Sequence, residues 1–398
     1  MCILRCVIFL LLFFEIRAEE LKSLKQVIIL SRHNVRTPLA KNLEELTPKK
    51  WPVWREKRGY LTSKGVLLEG FMGVYFSQWL QQKGLLDQKC PDENTFFIYA
   101  NTAERTMASA EAFISKSFPS CNITIHHSSN QNDVIFNPVI HNSSSTFIQK
   151  AKEDMLLLLN SLKLNSSYRI LDNILDYENS TMCIKTKHCD FTVDKNKIYI
   201  KYDTKPNVSG PLKICKSAID SFIMEYYEGF TIDNVAWGSL RNAEKWNSII
   251  DLSKGYHNVI FNTTLLAKDI ARPLVDFMSA LFLNEKTSPK ISLLMGHDAN
   301  IYTILNALGF KPYALRGQYE VTPAGGKIVF QKYFDTKANK FLLKVDYVYQ
   351  NTEDMRNGRE LSLTSPPEFV TLELESCKTD KEGFCLWEDF VKLLNGMS

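Results

Sequence analysis

A histidine flanked by two arginines within five residues, Arg32-His33-Asn34-Val35-Arg36, concentrates positive charge that is costly unless an anion sits against it. Arginine stays charged at any working pH, and its planar fork of donors matches the oxygens of a phosphate. Two further clusters offer the same kind of chemistry: Arg105 in Asn101-Thr-Ala-Glu-Arg-Thr106, and the adjoining His297 and Asp298 in Gly296-His-Asp298. Taken alone, each has a plainer reading. The first is a surface salt-bridge cluster, His297 a hydrogen-bonded core histidine, and Asp298 a cap for a helix beginning near Asn300.

What joins the clusters is their position after a strand. Gln26-Val-Ile-Ile-Leu30, Phe96-Phe-Ile-Tyr-Ala100 and Ile291-Ser-Leu-Leu-Met295 are short, apolar and β-prone, and each runs into one of the polar clusters. Helical patterns follow, at about 63–83 with Leu67, Phe71, Tyr75 and Trp79, and at about 300–308. Strands alternating with helices predict an α/β fold with a central, mainly parallel sheet flanked by helices, where ligands sit beyond the carboxyl ends of the strands. All three clusters fall on that crest, and a purely structural account needs three coincidences. Backbone N–H groups at a helix start would add to the field there. Between about 131 and 235 the alternation weakens and helical patterns at about 146–162 and 212–227 dominate. This predicts a smaller, mainly helical insertion (131–235) in a core made of 19–130 and 236–398. From Lys327 to Gln350 β-prone runs return, and these are expected to complete an edge of the main sheet.

The 398 residues, 45% hydrophobic, supply enough apolar material for a substantial core. Against 48 basic residues stand 44 acidic ones, a near balance that argues against a nucleic-acid partner, so anion recognition must be local. Residues 1–18, MCILRCVIFLLLFFEIRA, place an arginine before an apolar run from Cys6 to Phe14 and end on Ala18, the pattern of a secretory signal peptide. That run is too short to span a bilayer and no later stretch is long enough, so an exported protein without a membrane anchor is expected, secreted or periplasmic. Removing the signal leaves Cys90, Cys121, Cys183, Cys189, Cys215, Cys377 and Cys385, an odd set with one thiol left over in an oxidising compartment. Short loops favour Cys183 with Cys189 and Cys377 with Cys385, leaving Cys90, Cys121 and Cys215 to supply one further bridge. Sequons at Asn122, Asn142, Asn165, Asn179, Asn207 and Asn262 would accept glycans if the host glycosylates exported proteins.

SRHNVRTP resembles the RHGxRxP signature of the histidine acid phosphatases, branch 2 of the histidine phosphatase superfamily, and GHDAN resembles their downstream HD motif. In this order, each after a strand and with the arginine-bearing NTAERT between them, the motifs make a specific match that extends over essentially the whole mature chain. Stretches such as YANTAERT, YYEGF, LLMGHDANI and GGKIVFQKYFD are most similar to the bacterial glucose-1-phosphatase branch, relatives of the periplasmic phytases. The resemblance implies that His33 is the nucleophile of a phosphohistidine mechanism, that Arg32, Arg36, Arg105 and His297 bind the phosphoryl group, and that Asp298 protonates the leaving oxygen. The physical logic is independent of the family. An imidazole nitrogen attacks phosphorus only when neutral, positive groups spread the charge of the transition state, and a poor alkoxide leaving group needs a proton. With arginines doing the electrostatic work, no metal or other cofactor is required, and an acidic to mildly acidic optimum follows. The resemblance also supports pairing Cys90 with Cys121, which leaves Cys215 free.

Asn34 stands where most of the superfamily has glycine, and asparagine tolerates left-handed backbone better than other residues with a side chain. Thr37, next to the site, is a minor departure. The adjacent His126 and His127 point opposite ways on a strand and so read as surface side chains rather than a metal pair. Gly325-Gly326 reads as a turn before a strand, and the stretch from Trp51 to Trp54 either lines the pocket mouth or packs. The partner expected is a small phosphate monoester: a sugar phosphate such as glucose 1-phosphate or, with a wider and more basic pocket, an inositol polyphosphate. A secreted protein that captures phosphorylated ligands without turnover is the alternative of another class. Specificity falls to the insertion, where Lys213, Lys216, Glu225 and Glu228 lie.

Overall fold

In a computed structural model, which describes residues 22–130, 132–284 and 288–397, the three apolar runs become neighbouring strands. The expected signal peptide lies outside the described residues. In chain order the elements are β1 (Lys22–Arg32), α1 (Ser63–Gln82), β2 (Phe96–Ala100), α2 (Glu104–Ser117), α3 (Ser145–Ser161), α4 (Asn165–Leu175), α5 (Thr181–Thr186), β3 (Lys197–Tyr199), β4 (Asn207–Ser209), α6 (Pro211–Glu228), α7 (Ala243–Phe261), α8 (Thr264–Leu283), β5 (Ile291–Gly296), α9 (Asp298–Ala307), β6 (Lys327–Asp335), β7 (Lys340–Tyr349), α10 (Thr352–Asn357), β8 (Glu368–Thr371), β9 (Phe384–Leu386) and α11 (Trp387–Asn395).

The main sheet runs β2-β5-β1-β6-β7-β8, with β9 added to β7. β2, β5 and β1 are parallel, and residue Ile291 is paired to Phe96 on one side and to Val27 on the other. Parallel strands must be buried on both faces. Accordingly β5 is buried along its length, and the side chains of β1 alternate between two cores. Ile28 and Leu30 meet Val275 and Met278 of α8 and Ile304 of α9. Val27 and Ile29 meet Met72 and Phe76 of α1 and Phe113 of α2.

The α/β architecture is as expected, but the sheet is mixed: β6 runs antiparallel to β1, and β7, β8 and β9 continue antiparallel. The cause is local. Only residues 336–339 join β6 to β7, far too few for a crossover, so the two strands close as a hairpin. Nor do they form an edge, because β6 pairs with β1 and leaves β8 outermost. A third apolar cluster gathers α3, α4, α6 and α7 around Met155, Leu171, Phe222, Ile223, Trp246 and Ile250. α6 is bounded as its sequence asks, by Pro211 in its first turn and by Gly229 in left-handed backbone at its end. Cys90–Cys121, Cys183–Cys189 and Cys377–Cys385 are disulfides, and Cys215 is a buried free thiol. No helix among the described residues is long and apolar enough to cross a membrane.

Candidate active site

The three strand ends bring all six sequence-predicted residues to one crest. Arg32 ends β1, Arg105 lies in the first turn of α2, and His297 and Asp298 join β5 to α9. His33, Arg36, Arg105, His297 and Asp298 line a cavity of about 450 Å³. Arg32 sits behind it, 1% exposed, donating through Nη1 to Glu320 at 2.8 Å.

His33 is clamped by its backbone. Its N–H donates to the Gly296 carbonyl and its own carbonyl accepts from Gly325 N–H, both at 3.0 Å. Nδ1 lies 2.8 Å from the Asn34 carbonyl, which can only accept, so Nδ1 carries the hydrogen and Nε2 keeps the lone pair of a neutral ring. Burial, and then the charges of Arg105, Arg32 and Arg36, hold the His33 imidazole well below its ordinary range.

Asn34 does not use the left-handed backbone its type allows. Its side chain is a strut instead: Nδ2 donates to Glu69 Oε2 at 2.9 Å, and Oδ1 accepts from Val35 N–H at 2.9 Å. The other Glu69 oxygen is 2.7 Å from Lys327 Nζ, which also donates to Ser31 Oγ and the Gly325 carbonyl. Room for the strut comes from Gly325, at φ +69°, where an added Cβ would lie 2.4 Å from Asn34 Nδ2. The Gly325-Gly326 pair is thus the expected turn before β6, with a second use.

Arg36 is held by Asp220 of α6 through both terminal guanidinium nitrogens, Nη1 and Nη2, at 3.0–3.1 Å. Arg105 Nη2 donates to His297 Nδ1 at 3.3 Å. Burial, with Arg36 and Arg32 nearby, pulls Arg105 down to about 10, leaving it charged in acid. His297 Nε2 lies 2.9 Å from Asn101 Oδ1, and the Asn101 amide is oriented by Asp133, which accepts from Nδ2 at 3.2 Å. The His297 tautomer is therefore fixed with its hydrogen on Nε2. Asp298 is the first residue of α9, and the cap position belongs to His297. Its Oδ1 accepts from Ala299 N–H at 2.8 Å, and Oδ2 faces His257 Nε2 at 3.6 Å. Burial favours a protonated Asp298, but the neighbouring His257 imidazole and the charges of Arg32 and Lys216 outweigh it and hold the carboxyl well below its ordinary range.

Sequence reasoning missed His257, Lys205 and Asp220. Lys216 was visible but not its direction; it lines the cavity and lies 3.5 Å from Asp220, one helical turn on. Glu225 points into the helical cluster, where it accepts from Ala236 N–H and burial pushes it up to about 8. Trp51 and Trp54 pack, on Phe222 and Phe230. His126 lies 3.1 Å from Glu93 and His127 is exposed, and among the described residues no cluster fit to hold a metal occurs.

Fixed guanidinium groups bind oxyanions, and an imidazole kept neutral among them can attack one; a crest so furnished at the ends of parallel strands defines a hydrolase of the phosphoryl-transferring kind. The family model of the histidine phosphatase superfamily, branch 2, matches residues 23–348, and the chain belongs to that family, as an acid phosphatase acting on phosphate monoesters. It is 43% identical over 379 residues to a glucose-1-phosphatase of Providencia rettgeri, covering 93% of this chain and 91% of that one. It is 41% identical over 380 residues to the glucose-1-phosphatase of Salmonella typhimurium, covering 94% and 92%. Among solved structures, a Hafnia alvei phytase in complex with myo-inositol hexakis sulphate is similar with a TM-score of 0.84 at 28% identity, covering 96% of this chain and 98% of that one.

Proposed function

We propose that the enzyme hydrolyses sugar monophosphates, glucose 1-phosphate being the reference substrate, through a phosphohistidine on His33. The observation that carries the reading is the His33 ring: hydrogen on Nδ1, lone pair on Nε2, and three arginines in its immediate field. Arg36, Arg105 and Arg32 hold the phosphoryl oxygens while His33 Nε2 attacks phosphorus. The bond to the leaving oxygen breaks and that oxygen takes a proton from Asp298. Water then attacks the phosphohistidine, returns a proton to Asp298 and frees inorganic phosphate. His297 donates to the phosphoryl group only after taking a second proton at Nδ1, which an entering dianion favours.

The sugar-phosphate reading is supported by the two glucose-1-phosphatases of similar sequence. A second reading, inositol phosphates, is favoured by Lys205 and Lys216, two cations in the same cavity beyond the arginines, and by the likeness to a phytase solved with a hexasulphated inositol. Residues 131–235 form the helical insertion that sets this choice, since Lys205, Lys216 and Asp220 come from it. Export to an oxidising compartment is supported by the leader-like residues 1–18 and by three disulfides.

The test is phosphate release by the mature enzyme and by His33→Ala between about pH 3 and 8, from glucose 1-phosphate and inositol hexakisphosphate in parallel. Turnover by the wild type alone supports the mechanism, and the ratio of kcat/KM decides the substrate class. Turnover by His33→Ala, or none by the folded wild type, overturns the reading.

A further inference from the structure

We infer that His257, on α7, is the positioning residue of the leaving-group acid: its Nε2 lies 3.6 Å from Asp298 Oδ2, so a small approach of the two groups lets them share one proton. The inference rests on the reading of Asp298 given above and extends it to a residue outside the motifs.

The argument begins with the other side of the ring. His257 Nδ1 lies 2.9 Å from the carbonyl of Ser253, one turn back in α7. A carbonyl only accepts, so Nδ1 carries a hydrogen in either charge state, and Nε2 of the neutral ring presents a lone pair. Opposite it stands a carboxylate oxygen, which also has only lone pairs. Two acceptors facing each other at the cavity wall repel, so the arrangement calls for one proton between them, on nitrogen or on oxygen. The ring has little freedom to turn away. It is buried, stacks on Tyr302 of α9 with centroids 5.0 Å apart and planes at 12°, and lies parallel to Phe261 at 6.4 Å.

The charged and titratable groups around the pair decide where the proton rests. Lys216 faces it from α6, Arg32 from the end of β1, Arg105 from α2 and Lys205 from the loop between β3 and β4; Tyr256 and Tyr302 bring neutral hydroxyls. In the empty cavity these cations favour an ionised Asp298, and Lys216 and Arg32 disfavour a proton on His257 as well. Burial holds the His257 imidazole below its ordinary range, so the pair fills with its proton only in acid. A phosphate dianion entering the cavity reverses the field. The proton crosses to Asp298 and then to the leaving oxygen as the phosphorus–oxygen bond breaks. In the second half-reaction the attacking water returns a proton to the same pair, so the cycle balances.

Two variants separate this role from packing: His257→Gln, and His257→Phe, which keeps a ring against Tyr302. The kcat profile against pH is measured on glucose 1-phosphate and on p-nitrophenyl phosphate, whose leaving group needs no proton, with His33→Ala as the control for the phosphohistidine reading itself. Both variants are expected to lose roughly tenfold or more in kcat on the sugar phosphate and about twofold or less on the aryl phosphate. The basic limb on the sugar phosphate is expected to move to lower pH, because a proton binds a two-site pair at least as tightly as it binds one of the sites alone. Combining His257→Gln with Asp298→Asn is expected to cost no more than Asp298→Asn alone. Equal losses on the two substrates with an unmoved basic limb in both variants would overturn the inference while leaving the phosphohistidine reading intact. Turnover by His33→Ala would remove the reading on which it rests.

Discussion

Replacing Lys327 by methionine tests the strut beneath His33. Lys327 and Glu69 are both fully buried, and the ammonium supplies one of the two side-chain hydrogen bonds to the carboxylate, the other coming from Asn34. Burial pulls the Lys327 ammonium below its ordinary value against the opposing field of Glu69, which shows that the pair is held in a poorly solvated place. Lys327→Met leaves a buried carboxylate without its cation, at a cost of about 3–5 kcal/mol near neutral pH. The variant carboxylate escapes that cost by taking a proton, which becomes dearer by about 1.4 kcal/mol for each pH unit above the ordinary carboxylate range. A carboxyl raised in the folded state stabilises below its unfolded value and loses that contribution as pH rises. The gap between variant and wild type, measured by urea denaturation, is therefore expected to be small near pH 4.5 and to widen to about 3 kcal/mol or more by pH 7. Glu69→Gln with Lys327→Met keeps an acceptor for Asn34 and buries no charge, so the double variant is expected to recover most of the loss at pH 7. A gap that stays constant with pH, or one below about 1 kcal/mol at pH 7, would refute the reasoning, since an orphaned buried charge costs more than that.

Gly325→Ala places a Cβ in contact with Asn34 Nδ2 at a left-handed position, so it is expected to lower both melting temperature and kcat, and Asn34→Gly is expected to restore part of each; strictly additive losses would separate the two residues. Arg105→Met removes the cation that contributes most, after burial, to keeping His33 neutral, so the His33 imidazole rises and the acid limb of kcat/KM is expected to move to higher pH, measured on an aryl phosphate; a limb that stays put would assign it to another group. Replacing Cys90 and Cys121 by serine frees a 31-residue separation and is expected to destabilise by about 3–4 kcal/mol, read by denaturation under oxidising conditions; an unchanged midpoint would show that the bridge adds nothing.

What the sequence displayed and what it hid follow from the range of the interactions. β2, β5 and residues 27–30 of β1 were legible because a parallel strand covered on both faces must be apolar almost without interruption. The six motif residues were legible because each ends such a strand or follows it within a few positions. The central placement of β6 was not, since pairing with β1 joins Lys327 to Ser31 across most of the chain and leaves no local mark. Asn34 suggested backbone freedom by its type, whereas its carboxamide is spent on Glu69, a contact that needs α1 in place. His257 sits in a helix whose pattern is that of any core helix, and only the approach of α7 to α9 puts it beside Asp298. Positions set by local periodicity were readable; those set by two distant segments meeting were not.

The directions of the site's proton affinities agree with one another once charge is counted. Arg32 is matched by Glu320 and Arg36 by Asp220, while Arg105 donates to a neutral imidazole and Lys205 and Lys216 add further cation charge around the same cavity. Burial first, and then this excess of positive charge, drives His33 and His297 to the neutral form, and the same excess, with His257 beside it, overcomes burial to hold Asp298 in the ionised form. The nucleophile is ready before substrate arrives, whereas the acid is not, because a carboxylate in that field does not keep a proton. A phosphate dianion cancels the excess, and only then is Asp298 able to hold the proton that the leaving oxygen needs. The neutral imidazole is thus a property of the free enzyme and the protonated carboxyl a property of the complex. Their titrations should accordingly separate, the acid limb appearing in kcat/KM and the basic limb in kcat.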